Sequence, residues 1–269
     1  VKDEPQHIKQ GKVQIELLEA MGFPYEIISK EDDQFAMKIS RAVETAKDNN
    51  IPSILLIKKG TFEKYKTEIV QTNDQRMNRE EALEIVLDNL DENAIVVSTT
   101  GKTSREIFEI REKRGQSHQQ DFLTVGSMGH CSSIALGIAI AKPERKIICL
   151  DGDGSLIMHM GSLSTIGKLR PENFYHILMN NEVHESVGGQ ETSAKFIDFP
   201  TLVRSNGYNN VYLTKNKKNL TSQIGVFFRQ KGPNFMEVKV RPGSRDDLGR
   251  PSIKPIDNKS TFMAFVQGD

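Results

Sequence analysis

The chain has 269 residues, and its 36 lysines and arginines balance its 36 aspartates and glutamates, which gives no electrostatic case for a nucleic-acid or membrane partner. Apolar residues form 37% of the chain, and the longest apolar run, at 134–141, is far too short to cross a bilayer. The two cysteines lack metal-site spacing, so we expect buried thiols in a reducing compartment, with the cytoplasm as the default location.

The first part of the chain, residues 1–60, has the patterns of two helices and two strands. It opens in a charged stretch without an initiator Met or a signal peptide, so we expect a fragment or a processed chain. The predicted elements are a helix at 12–21, a strand at 23–28, a helix at 31–47 and a strand at 51–57. Because a doubly wound domain needs more units than these, we expect only part of a domain here. The polar residues 61–78 are predicted to be a linker.

The second part, residues 79–240, alternates helix and strand patterns. Helices are predicted at 80–90, 104–111, 132–142, 156–168 and 216–229. Strands are predicted at 94–98, 146–150, 174–179, 211–214 and 235–240. This alternation predicts an α/β fold, a parallel sheet with helices on both faces. Residues 241–269 are predicted to be a C-terminal arm, because their first ten residues are rich in Gly, Arg and Asp and lack an apolar period.

A glycine-flanked aspartate follows the strand predicted at 146–150. The run Asp151-Gly152-Asp153-Gly154-Ser155 stands between this strand and a predicted helix. Its glycines let backbone N–H groups approach a phosphate, and the N-terminus of the following helix favours an anion. Asp153 stands where a hard cation would be held.

A pair of asparagines follows the next predicted strand. Asn180 and Asn181 come after one further helix and the strand at 174–179. A right-handed crossover makes the two strands parallel, so Asp153 and Asn181 emerge at the same edge of the sheet, where α/β folds bind ligands. Carboxylate, amide and backbone carbonyl oxygens, completed by water and diphosphate oxygens, suit octahedral Mg²⁺.

This arrangement resembles the motif of thiamin-diphosphate enzymes, in which GDG is followed at a similar spacing by NN. The resemblance implies that Asp153, Asn181 and the backbone carbonyl of Val183 are Mg²⁺ ligands. It also implies that Met128 wedges between the two rings of the cofactor, the alternative being a core residue. Lys102 would contact the diphosphate, the alternative being a solvent-facing lysine beside a helix cap. The expected cofactor-binding residues are Gly101, Lys102, Gly126, Ser127, Met128, Gly152, Asp153, Gly154, Ser155, Asn181 and Ser186.

Longer segments extend the resemblance over nearly the whole chain. The segments that look like those of phosphonopyruvate decarboxylases are DEPQHIKQG, TTGKTSREIFEIRE, DFLTVGSMGH, LDGDGS, NNEVHESVGGQ and RPGSRDDLGRP. The resemblance implies a carboxy-lyase that converts 3-phosphonopyruvate to phosphonoacetaldehyde and CO₂ in phosphonate biosynthesis, with sulfopyruvate decarboxylase as the nearest alternative. It also implies a homo-oligomer with the active site between subunits. Residues 1–60 would then be part of a pyrimidine-binding domain, and 79–240 a diphosphate-binding domain.

An anionic 2-oxoacid substrate needs cationic or hydrogen-bonding side chains around it. By the resemblance we consider His7 a catalytic candidate, because related decarboxylases carry a histidine near this position. His184 and Glu185 are further catalytic candidates, in the loop after the metal ligands. For all three the alternative is simple surface exposure. The candidates for the phosphonate group are His7, His130, Arg245 and Arg250.

One expected group is missing from the chain. The family uses a glutamate of the pyrimidine-binding domain to activate the cofactor, and nothing in residues 1–59 stands in that context, since Glu16 and Glu19 lie on a different element. Two hypotheses remain: a decarboxylase whose N-terminal segment is absent, or a non-catalytic subunit that binds cofactor or partner. The retained metal ligands favour the enzyme. An acetolactate-synthase relative is disfavoured, because residues 61–78 leave no room for a middle domain.

Overall fold

The structure, a computed structural model, describes residues 7–63 and 74–268. The chain divides into two compact units, Val1–Thr72 and Asn73–Asp269. The predicted linker therefore lies mostly outside the described residues. Within the described ranges, none of the helices combines the length and hydropathy needed to span a membrane.

The first unit contains two pairs of elements, each a helix followed by a strand. In chain order its elements are α1 (His7–Ala20), β1 (Tyr25–Ile28), α2 (Phe35–Asn49) and β2 (Ile54–Ile57). The two strands are parallel, with Tyr25 opposite Ile54. Lys38 of α2 donates from Nζ to the carbonyl of Ile27 at 2.9 Å, which fastens the helix to β1. The four elements predicted for this part are thus confirmed, although α1 begins earlier than expected.

The second unit is built on a six-stranded parallel sheet. Its strands are β3 (Ile95–Ser98), β4 (Asp121–Leu123), β5 (Ile147–Gly152), β6 (Phe174–Asn180), β9 (Asn210–Thr214) and β10 (Asn234–Lys239). Their spatial order is β4-β3-β5-β6-β10-β9. A separate antiparallel hairpin, β7 (Val183–His184) and β8 (Gln190–Glu191), follows β6.

Helices cover both faces of this sheet. They are α3 (Arg79–Asp88), α4 (Lys102–Lys113), α5 (Cys131–Ala141), α6 (Asp153–Met158), α7 (Ser162–Leu169), α8 (Phe199–Ser205), α9 (Lys217–Phe227) and α10 (Pro255–Gln267). The helices α3, α4 and α9 pack into one apolar cluster with Ile148 and Leu150 of β5. The helices α5 to α8 and α10 pack into a second cluster with Ile147 and Cys149. Alternate residues of β5 thus serve opposite faces, as the pleat requires, and the predicted fold class is confirmed.

Several elements differ from the sequence-based expectations. The helix predicted at 156–168 is two helices, α6 and α7, separated at 159–161. The strand β4 and the helices α8 and α10 were not predicted. The helix α10 belongs to the second unit, because Phe262 is buried in its core and Asn258 donates from Nδ2 to the carbonyl of Asp121.

Candidate functional site

The candidate site is a cleft at the carboxyl edge of the sheet, beside β3 and β5. The chain goes from β3 outward to β4 and then returns to the other side of β3, and the helices α4 and α6 pack on opposite faces. A crevice opens where two such connections diverge, and α/β folds bind ligands there. The cleft is open to solvent on one side. Its lining residues are Arg79, Thr99, Thr100, Lys102, Thr103, Met128, Gly152, Asp153, Gly154, Ser155, Met179, Asn181, Val183, His184, Glu185 and Ser186.

Asp153 stands at the start of α6, on the floor of this cleft. Asp153 is only 2% exposed, and its Oδ2 accepts a hydrogen bond from Thr192 Oγ1 at 2.5 Å. Burial raises the pKa of Asp153, while Thr192 and the backbone N–H groups of Asp153 and Asn181 oppose that rise. The carboxylate is therefore close to the turn that follows β6, as the crossover argument predicted.

Asn181 extends into the cleft from the end of β6. Its Oδ1 accepts from the backbone N–H of Val183 at 3.2 Å, and its Nδ2 donates to Glu185 Oε2 at 2.9 Å. The hairpin β7–β8 carries Val183 and His184 back over the same edge. The sequence-predicted ligands Asp153, Asn181 and Val183 thus all line one cleft.

An ion network closes one side of the cleft. Glu185 receives Arg79 Nη1 at 2.7 Å and Lys102 Nζ at 3.0 Å. Arg79 also donates to both oxygens of Glu106, at 2.6 and 2.8 Å. Burial disfavours ionised Glu185, but Arg79 and Lys102 outweigh it and lower the pKa of this carboxyl. The network places two cations and two carboxylates, joined in ion pairs, beside the predicted phosphate turn.

Gly154 lines the cleft beside Met128 and His184. A Cβ added at Gly154 would lie 2.6 Å from ring atoms of His184 and 3.4 Å from Met128 Cε. Gly154, Met128 and His184 are therefore neighbours in space. Any larger residue at 154 would collide with the His184 ring unless that ring moved.

The family comparison agrees with this geometry. A family profile described as thiamine pyrophosphate enzyme, C-terminal TPP binding domain, matches residues 99–238, which run from the end of β3 into β10. The chain belongs to this family. Thiamine pyrophosphate is the same compound as thiamin diphosphate, so the predicted cofactor is confirmed.

Relatives narrow the chemistry to decarboxylation. The phosphonopyruvate decarboxylases of Streptomyces viridochromogenes and Streptomyces hygroscopicus are 32% and 31% identical over 98% of this chain, covering 69% and 68% of their own lengths. The sulfopyruvate decarboxylase subunit beta of Methanocaldococcus jannaschii is 38% identical over 68% of this chain and 93% of its own. The chain is thus a thiamin-diphosphate-dependent decarboxylase of the phosphonopyruvate and sulfopyruvate type. The last relative is, by its name, one subunit of a larger enzyme.

The residues of the cleft fit thiamin diphosphate with Mg²⁺. Thr99 Oγ1 is buried beside the cleft and has no hydrogen-bond partner among the described residues, so a phosphate oxygen would satisfy it. Gly154 lines the cleft and has no Cβ, so no side chain of its own separates its backbone from a diphosphate. The carboxylate of Asp153, the amide oxygen of Asn181 and the carbonyl of Val183 are the hard oxygen donors that Mg²⁺ prefers.

Three predicted cofactor contacts lie next to the cleft without lining it. Gly101 forms the N-terminal cap of α4, with a φ of 98°. Gly126 donates its N–H to Thr100 Oγ1 at 3.1 Å, and Gly126 and Ser127 both have positive φ, 75° and 45°. The turn at 126–127 is therefore bonded to the loop after β3, and Met128 is the residue of that segment that reaches the cleft.

Only some of the candidates for substrate contact line the cleft. His184 and Glu185 line the cleft, whereas His7 opens α1 in the first unit. Arg245 is paired with Glu80, Glu109 and Asp247 and does not line the cleft, so its contact with the phosphonate group stays a prediction. His130 is exposed, with its ring centroid 4.2 Å from that of His159.

The two cysteines are buried and free, as expected, yet they lie close together. Ligand atoms of Cys131, Cys149 and Asp151 all lie within 4.8 Å of one another. Both oxygens of Asp151 are already occupied, by the N–H of Gly152 at 2.8 Å and by His176 Nε2 at 3.3 Å. Burial disfavours the imidazolium, yet Cys149 and Asp151 raise the pKa of His176 to about 10. The cluster satisfies itself internally, and we assign it no ligand.

Sequence reasoning missed Arg79 and Thr192. Arg79 is 5% exposed and reaches Glu185, which is 106 positions away in sequence. Thr192 lies 39 positions from its partner Asp153. A weak signal existed for Arg79: a cation in the first turn of a helix opposes the helix dipole, so another interaction must hold it there.

Proposed function

We propose that the chain decarboxylates 3-phosphonopyruvate to phosphonoacetaldehyde and CO₂, as a step of phosphonate biosynthesis. The similarity to two phosphonopyruvate decarboxylases over 98% of the chain supports this choice of substrate. The sulfopyruvate relative supports the competing substrate, since its identity is higher over a shorter stretch. Both compounds are 2-oxoacids with a second anionic group, so the same cleft chemistry serves either.

In this proposal Mg²⁺ binds at the end of the cleft where Asp153 and Asn181 lie. Side-chain oxygens of Asp153 and Asn181 and the carbonyl oxygen of Val183 are the protein ligands. Thr192 holds the Asp153 carboxylate by its 2.5 Å hydrogen bond. Diphosphate oxygens would complete the octahedron, because Mg²⁺ usually retains non-protein ligands.

The other cleft residues orient the cofactor and exclude water. Bound thiamin diphosphate supplies the electron sink for loss of CO₂ from a 2-oxoacid. Thr99 Oγ1 and the N–H groups at the start of α6 would donate to the diphosphate, beside the cation Lys102. Met128, which neighbours Gly154, would lie against the rings of the cofactor. His184 faces the same gap and is placed to donate to the substrate's anionic groups.

We further propose that residues 1–60 belong to a pyrimidine-binding domain and that the active enzyme is a homo-oligomer with its site between subunits. Two relatives are longer than this chain, and a third is one subunit of a larger enzyme. A catalytic contribution from His7 depends on that assembly, because His7 lies in the first unit. Light scattering coupled to size-exclusion chromatography tests the assembly directly.

A paired substrate assay tests the function. The chain, with thiamin diphosphate and Mg²⁺, is incubated with phosphonopyruvate or sulfopyruvate, and the aldehyde is measured with an alcohol dehydrogenase and NADH. For the chain itself we expect Mg²⁺-dependent binding of the cofactor, lost in Asp153→Asn. We expect turnover of phosphonopyruvate from a polypeptide that also carries the cofactor-activating glutamate. Turnover of sulfopyruvate alone would reassign the substrate. Cofactor binding without turnover of either compound, in a polypeptide that carries that glutamate, would favour a non-catalytic subunit.

A further inference from the structure

The metal-facing amide of Asn181 is fixed at both of its ends. Its Nδ2 donates to Glu185 Oε2 at 2.9 Å, and its Oδ1 accepts from the N–H of Val183 at 3.2 Å. An amide that turns by 180° keeps almost the same shape but exchanges acceptor for donor. Only one of these two orientations presents an oxygen to a cation. The partners of the amide therefore decide whether Asn181 can be a ligand.

Both partners favour the same orientation, and Glu185 is the one that a substitution can remove. An ionised carboxylate only accepts hydrogen bonds, so it selects the NH₂ end of the amide. Glu185 has little freedom to move, because Arg79 Nη1 and Lys102 Nζ hold its two oxygens at 2.7 and 3.0 Å. Arg79 is in turn held by both oxygens of Glu106. The chain of contacts runs from α4 through Arg79 and Glu185 to Asn181.

We propose that Glu185 is a positioning residue, which turns the Asn181 oxygen toward Mg²⁺ and is itself held in place by Arg79. This inference rests on the proposed metal site and adds a role to a residue that sequence reasoning offered as a substrate contact. Groups that orient metal ligands through hydrogen bonds typically account for a tenfold to hundredfold difference in metal affinity. Glu185 touches neither the cation nor the substrate in this role.

The competing explanation is a purely structural ion cluster that fastens the segment after β6 to α3 and α4. The neighbouring asparagine provides a matched control for it. Asn180 Nδ2 donates to Glu237 Oε1 at 2.7 Å, in the same way as Asn181 donates to Glu185, and Asn180 does not line the cleft. Glu237 is a buried carboxylate, at 2% exposure. The two Asn–Glu pairs thus differ mainly in whether the amide faces the cleft.

The experiment measures Mg²⁺ affinity by calorimetry, at a fixed thiamin diphosphate concentration, for the unsubstituted chain and four variants. We expect Glu185→Ala to weaken Mg²⁺ binding about 10- to 100-fold. Glu185→Gln should lose less, because its side-chain oxygen still accepts from Asn181. Glu237→Gln should bind Mg²⁺ with unchanged affinity even where it lowers the unfolding midpoint. Asp153→Asn should lose Mg²⁺ binding through the ligand itself. Electron paramagnetic resonance with Mn²⁺ in place of Mg²⁺ should show an altered spectrum for Glu185→Ala and an unaltered one for Glu237→Gln.

The outcomes separate this inference from the function on which it rests. Unchanged affinity in Glu185→Ala, with loss in Asp153→Asn, would overturn the positioning role and leave the proposed function standing. Equal weakening in Glu185→Ala and Glu237→Gln would also overturn it, in favour of general loosening. Unchanged affinity in Asp153→Asn, or no binding by the unsubstituted chain, would overturn the metal site itself.

Discussion

Replacing Arg79 with methionine tests whether Arg79 and Glu106 form a buried ion pair that stabilises the fold. Arg79 is 5% exposed and Glu106 is 2% exposed, and two hydrogen bonds of 2.6 and 2.8 Å join them. Arg79→Met leaves the Glu106 carboxylate buried without its cation, whereas Glu185 retains Lys102. Removing one partner of a buried pair costs about 3–5 kcal/mol of unfolding free energy. We expect a loss in this range.

The double variant Arg79→Met with Glu106→Leu decides between charge and packing. If the cost comes from the lone buried carboxylate, removing that carboxylate should recover about 1–3 kcal/mol. If it comes from lost packing, the double variant should be no more stable than the single one. The sign of the change from single to double variant therefore identifies the cause.

Thiol labelling in urea is a suitable assay, because the chain contains no tryptophan. Cys131 and Cys149 are 1% and 0% exposed, and both lie in the second unit, so their reaction with a disulfide reagent reports the opening of that unit alone. A cost below about 1 kcal/mol for Arg79→Met, in the range of an exposed ion pair, would refute the buried-pair argument. So would a double variant less stable than Arg79→Met.

Other parts of the second unit make further predictions. Gly167→Ala should destabilise α7 by about 1–3 kcal/mol or more in urea unfolding, because the added Cβ would lie 1.5 Å from the backbone oxygen of Asn206. The helical control Gly137→Ala, with nothing within 4 Å, should instead stabilise the unit by about 0.5–1 kcal/mol, and a loss there would contradict the argument. Without denaturant, neither thiol should react with the disulfide reagent on the time scale of minutes, and rapid labelling of the native chain would disprove their burial. Thr99→Val should leave stability unchanged or higher, because it removes an unpaired hydroxyl. The same variant should bind thiamin diphosphate more weakly in a calorimetric titration. Unchanged cofactor affinity would count against the phosphate contact.

The ligand turns were predictable because each follows a strongly apolar strand. The run 147–150 is fully apolar and ends at the glycine-flanked Asp153, and the run after 174 ends at Asn181. Parallel pairing of such strands brings their carboxyl ends to one edge without any knowledge of side-chain contacts. The register confirms this, with Gly152 opposite Met179. Local patterns therefore sufficed for the position of the cleft.

Three features of the fold were not predicted from the sequence: β4, the break between α6 and α7, and α10. The three residues of β4 are too few to show alternation. The break between α6 and α7 falls at 159–161, where Gly161 is the only breaker signal, and apolar residues at helical spacing resume directly after it. The helix α10 did carry signals that were overlooked, with Pro255 at its start and Gly268 after its end. Its apolar residues Phe262 and Phe265 are at helical spacing.

The pairings that complete the site follow from tertiary structure and have no local pattern. The helix α3 contributes no strand-end loop, yet it brings Arg79 to the cleft. Its start is fixed by a capping box, in which Asn78 Oδ1 accepts from the N–H of Glu81 at 2.7 Å and Glu81 Oε2 accepts from the N–H of Asn78 at 3.0 Å. The cap determines where the first helical residue stands, and that residue is Arg79, which pairs with Glu185. In our proposal the orientation of Asn181 thus depends on a helix cap more than 100 residues earlier, and the packing of α3 beside α4 connects the two.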